Sequence, residues 1–102
     1  MKKIALGIIL VSSLFAKEVI VDQKNKTFMP GTLNVKVGDT ITFKNSDSFS
    51  HNAYTDDEDN EFDIGMQASG TKKSVKVKKA GEFHIECAIH PNMLIKVKAT
   101  EK

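Results

Sequence analysis

Apolar residues recur at every second position in this 102-residue chain, in short runs that start at Val19 and continue almost to the end. Val19 and Val21 alternate, then Leu33, Val35 and Val37, then Ile41 and Phe43. Further on come Val75 and Val77, then Phe83, Ile85 and Cys87, and finally Met93, Ile95, Val97 and Ala99. Successive side chains of a strand point to opposite faces, so a period of two puts one face in a core and the other in water. Lys36, Lys76, Lys78, Lys96 and Lys98 take the intervening, solvent-facing positions. Turn chemistry bounds each run: Pro30-Gly31, Gly38-Asp39, Asn45 to Ser48 and Ala80-Gly81. No stretch carries a sustained helical stripe. The pattern predicts one all-β domain, a β-sandwich of six to eight short strands, in a chain too short for a second core.

The start of the chain reads as an address. Lys2 and Lys3 precede an apolar run, Ile4 to Phe15, that closes on Ala16 ahead of the charged pair Lys17-Glu18. A basic start, a short apolar stretch and a small exit residue make a secretory signal peptide over residues 1–16, leaving a working domain at 17–102. The run falls well short of the ~20 apolar residues that span a bilayer. No membrane anchor is expected after cleavage. The Lys-Lys pair, in place of Arg-Arg, favours the Sec route, and the expected destination is the periplasm, outside the cytoplasm.

Charge then changes meaning. The whole chain has a formal net charge of +2, but losing Lys2 and Lys3 leaves 13 lysines against 13 acids. All the cations are lysine, with no arginine to read guanine or phosphate bidentately, so no nucleic-acid partner is expected. Six acids, Asp56, Asp57, Glu58, Asp59, Glu61 and Asp63, fall between Thr55 and Gly70. A calcium loop fails there, because the obligatory glycine is replaced by Glu61 or Phe62, and a solvated surface loop is expected. With the cluster Lys72, Lys73, Lys76, Lys78 and Lys79, this segment makes the domain electrically polarised.

The single cysteine excludes an intrachain disulfide, yet an exported chain rarely leaves a thiol idle. Cys87 ends a predicted strand, His90 follows at three residues and Met93 at six. Thiolate, imidazole and thioether suit copper better than any other common metal, and zinc would want a second cysteine. A type 1 copper site needs a second imidazole, from His51 or His84. Strand parity turns His84, between Phe83 and Ile85, away from the side of Cys87. His51 lies where a strand enters the long loop, at the end of the sandwich where a distant ligand can close over Cys87.

The Gly-Asp-Thr-x-x-Phe-x-Asn strand of Gly38 to Asn45, the His51-Asn52 pair and Gly81-x-Phe83-x-x-x-Cys87-x-x-His90-Pro91-x-Met93 together resemble the cupredoxins. Within them, the chain is similar to the short plastocyanin-like and amicyanin-like blue copper proteins. The resemblance implies a Greek-key sandwich and a non-enzymatic carrier shuttling single electrons between redox proteins. It implies one type 1 copper ion, with His51, Cys87 and His90 as equatorial ligands and Met93 as the axial one. Asn52 matches the family asparagine that ties the two ligand loops together. No His-x-His pair is present, which argues against the oxygen-reducing cluster of a multicopper oxidase. His90 is the expected electron port and transient docking point, ringed by Pro91, Leu94 and Pro30. Pro91, lacking an N–H, removes one hydrogen bond near the centre. The molecule is expected to be a monomer. The alternative in a different class is a carrier that binds Cu(I) for delivery.

Overall fold

The computed structural model describes residues 16–101, all strand and loop. Nine strands follow in order: β1 Glu18–Lys24, β2 Thr27–Met29, β3 Thr32–Lys36, β4 Thr40–Asn45, β5 Tyr54–Thr55, β6 Phe62–Asp63, β7 Lys72–Lys76, β8 Gly81–Glu86 and β9 Leu94–Thr100. They form two sheets, β2-β1-β4-β7 and β3-β9-β8-β5-β6. The chain changes sheet after β2, β3, β4, β6 and β7, so β1 runs parallel to β4 and β3 parallel to β9, while the other strand pairs are all antiparallel. This is the expected all-β sandwich. The strand number exceeds six to eight because β5 and β6 are two-residue pairings inside the long acidic segment.

Alternation explains the packing. Leu33 and Val35 of β3, Phe83 and Ile85 of β8, and Ile95, Val97 and Ala99 of β9 are buried, while Asn34, His84, Lys96 and Lys98 between them are exposed. They face Val21, Ile41 and Phe43 of the other sheet across one apolar core. Phe43 is central, with Phe28 at 6.2 Å and Phe62 at 6.1 Å, ring centre to ring centre. Each fully buried aliphatic side chain contributes about 1.5–3 kcal/mol by leaving water. Val37, expected within a strand, instead lies in the turn between β3 and β4, where Gly38 has a φ of 96°. Asp39 closes that turn by accepting the N–H groups of Lys36 at 2.9 Å and Lys17 at 3.1 Å.

The acidic segment is more structured than a solvated loop. Asn60 is buried, accepting from the N–H groups of Lys78 and Lys79 and donating to the Lys79 carbonyl. Phe62 and Ile64 pack against the core, and the segment returns through a buried Gln67. Its acids are exposed apart from half-buried Asp57, but its apolar residues occur too singly to show a period. The expected signal peptide lies outside the described residues, apart from Ala16. Among the described residues, no helix is long and apolar enough to cross a membrane.

Candidate metal centre

Strand pairing gathers the site at one pole of the sandwich. The starts of β5 and β9 lie on either side of the end of β8, Tyr54 opposite Glu86 and Glu86 opposite Leu94. Cys87 is the first residue past β8 and stays on the inward side with Phe83 and Ile85, 1% exposed. The chain then turns tightly, the Met93 N–H donating to the His90 carbonyl at 2.9 Å, and enters β9. Met93 is buried at the end of this turn. His51 arrives from the segment leaving β4, held by reciprocal backbone hydrogen bonds with Gln67 at 3.0 and 2.7 Å.

These constraints bring three donors together. One ligand atom each from His51, Cys87 and His90 lies within 4.8 Å of the other two. Cys87 Sγ is 3.9 Å from His90 Nδ1, and the two imidazoles approach edge to face with centroids 4.9 Å apart. His51 is fully buried and His90 half-buried. His84 stands apart, exposed and opposite Lys96, as its parity predicts.

His51 tests whether a metal fits. Its Nε2 is 2.7 Å from Asp47 Oδ2, whereas its buried Nδ1 has no hydrogen-bond partner. A buried nitrogen left alone costs about 1–3 kcal/mol, and metal ligation satisfies it. One cysteine and two histidines, with a buried methionine on the same loop, make a copper set and not a structural zinc set.

Asn52 spans the two ligand segments. Its Oδ1 accepts the N–H of Ala88, next to Cys87, at 3.1 Å, and its Nδ2 donates to Asp63 Oδ1 at 2.8 Å and the Gly65 carbonyl at 3.1 Å. Two further residues touch the site without having been singled out in the sequence. Asp47 accepts from His51, and the signal for it was a carboxylate four residues before a candidate ligand histidine. Burial alone would raise its pKa. Hydrogen bonds from His51 and from the N–H groups of Lys26 and Asn25 outweigh that and hold the carboxyl below its ordinary 3.8. Phe49 lies 5.2 Å from the His51 ring and 5.6 Å from the His90 ring, with Lys26 Nζ 5.8 Å from its own centre. On the β5 side, Glu86 first, then burial, Asp56 and Asp63, raise the Tyr54 hydroxyl above its usual 10.0.

A family model described as copper binding proteins, plastocyanin/azurin family, matches residues 16–100. The chain belongs to the cupredoxins. Copper is the metal of that family, and the His51, Cys87 and His90 cluster fits a type 1 site. Chloroplastic plastocyanin of Fritillaria agrestis is 30% identical over 84% of this cupredoxin and 60% of its own length. Methylamine utilization protein MauL of Methylorubrum extorquens is 41% identical over 61% of this chain and 54% of its own length. The chain thus spans little more than half the length of these curated relatives. A solved amicyanin, a methionine-to-alanine mutant in its Cu(I) form, superposes with a TM-score of 0.74 at 25% identity, covering 86% of this cupredoxin and 88% of that chain. A copper-containing nitrite reductase from Thermus scotoductus gives 0.76 at 27% identity, with 83% of this chain on 23% of the larger one.

Proposed function

We propose that this cupredoxin is a carrier of single electrons, not an enzyme, with a type 1 copper centre held by His51, Cys87, His90 and Met93. The observation that carries the reading is the buried, unpartnered His51 Nδ1 beside two further soft donors within 4.8 Å. A copper ion bound there supplies a one-electron couple. The chain's own contribution is rigidity. Cys87 and His90 come from one turn pinned to β8 and β9, His51 is clamped by Gln67 and Asp47, and Asn52 joins the two segments. Groups so fixed move little when charge changes, which keeps the cost of reorganisation low. Met93, buried on the same turn, brings a weak thioether ligand.

His90, half-buried between exposed Ile89 and Pro91, is the electron port. Beside it, Phe49 is 40% and Ile89 41% exposed, and Leu94, where the same turn enters β9, is 45% exposed. Transient docking of a redox protein on this apolar face follows, with the acidic segment and the lysines of β7 orienting the encounter. The protein acts as a monomer outside the cytoplasm, after Sec export and cleavage behind Ala16.

Reconstitution with copper tests the reading. Purified protein should turn intensely blue, lose the colour on Cys87→Ser, and give reversible one-electron voltammetry. A colourless product with no strong thiolate-to-copper band would refute it. Rapid surrender of copper to a weak chelator would point to copper delivery. Amino-terminal sequencing of exported protein should begin at Lys17.

A further inference from the structure

One carboxylate joins three parts of the molecule. Asp47 Oδ2 lies 2.7 Å from His51 Nε2, and the same group accepts the backbone N–H groups of Asn25 at 2.8 Å and Lys26 at 3.1 Å. Asn25 and Lys26 form the turn between β1 and β2, and both are left-handed, with φ of 56° and 57°. Successive N–H groups in such a turn converge on one side and make a cradle for an anion. The Asp47 backbone is held as well, its N–H donating to Asn45 Oδ1 at 2.9 Å and its carbonyl accepting from Ser69 Oγ. The side chain is only 9% exposed. Its place is therefore fixed by β4, by the β1–β2 turn and by the segment before β7, independently of His51.

Beside an ionised carboxylate, which only accepts, His51 Nε2 must carry the proton. The lone pair then belongs to the buried Nδ1, which has no other partner. We infer that Asp47 is a positioning residue for the metal centre: it fixes His51 as the Nε2–H tautomer with Nδ1 free to ligate, and it biases the centre toward the more oxidised metal. This rests on the copper reading above. A negative charge one imidazole away from the metal stabilises Cu(II) more than Cu(I). Partners of this kind are worth about 10–100-fold in metal affinity. For one electron, each tenfold change in relative affinity is ~59 mV of potential.

The test compares wild type with Asp47→Asn, which keeps shape and removes charge. In copper-free wild type in mildly alkaline solution, long-range proton–nitrogen NMR should find the His51 proton on Nε2. In Asp47→Asn, Cu(II) binding should weaken at least tenfold relative to Cu(I), with the potential rising accordingly. Thermal unfolding of the copper-free variant monitors its fold. A less than twofold change in relative affinity in a folded variant would overturn the inference, as would an Nδ1–H tautomer in the wild type. If Asp47→Asn does not fold, the wild-type tautomer decides alone. If the wild type binds no copper, the proposed function fails, and the tautomer still decides whether Asp47 sets the ring.

Discussion

Replacing Asn52 by alanine removes three hydrogen bonds at once: one from Ala88 N–H, one to the Asp63 carboxylate and one to the Gly65 carbonyl. Neutral hydrogen bonds are each worth about 1 kcal/mol net and those to a charged group about 1.5–3. Asp63 keeps a second donor, the Gly65 N–H at 2.8 Å, so its loss falls at the low end. The expected cost is about 3 kcal/mol, and at roughly 4–8 °C per kcal/mol for a domain this size the midpoint falls by at least ~12 °C. Circular dichroism melts of copper-free protein measure this. Because the bond to Ala88 N–H couples the His51 segment to the Cys87 turn, copper should also raise the midpoint less in the variant than in wild type. Asn60→Ala is the control, since it too removes three hydrogen bonds from a buried asparagine, but between the acidic segment and Lys78-Lys79. It should lower the midpoint similarly and leave the gain from copper intact. A copper-free midpoint lowered by less than ~4 °C in Asn52→Ala, or an equal loss of copper gain in both variants, would refute the reasoning.

Three further outcomes are expected. Ile95→Ala, at a fully buried position of β9, should cost about 2–5 kcal/mol in urea titration, because the surrounding core cannot collapse onto the gap. His84→Ala should leave the visible spectrum and copper affinity unchanged, since the ring is exposed on the outer face opposite Lys96. Burial pushes the Asp39 carboxyl up, but the N–H groups of Lys36 and Lys17 and the charges of those lysines bring it below 3.8. Its folded pKa is therefore depressed, so its stabilisation is full above about 3.8 and lost as pH falls through the lower folded value. Asp39→Asn should flatten the acid limb of the stability curve of copper-free protein, and an unchanged limb would contradict that assignment.

Strands with one face in the core and one in water announce themselves, which is why Leu33 and Val35, Phe83 and Ile85, and Ile95, Val97 and Ala99 could be read directly. The same parity separated His84 from the site. Pairings of two residues cannot display a period, so β5 and β6 were invisible and Phe62 looked like part of a solvated loop. Legibility of the centre followed chemistry. Cys87 and His90 sit on one short turn with Met93 at fixed spacing, and His51, sought as the second imidazole, comes with them within 4.8 Å. Asp47 and Phe49 act by position against His51, and nothing in their residue type alone marks that. The turn at Asn25-Lys26, whose N–H groups face Asp47, is separated from it by more than twenty residues and becomes a neighbour only when β1 lies parallel to β4.

The lysines of β7 have a consequence beyond solvation. Among the described residues, β7 pairs with β4 on one side alone, which leaves it at an open edge of the sheet. Lys72, Lys73 and Lys76 are exposed along it, so a second copy approaching in register would set like charges against each other. At one margin of the other sheet, β6 is only two residues long and too short to template growth. A chain this rich in strand-forming sequence meets its greatest risk of aggregation at such margins, and there it is guarded by charge and by brevity.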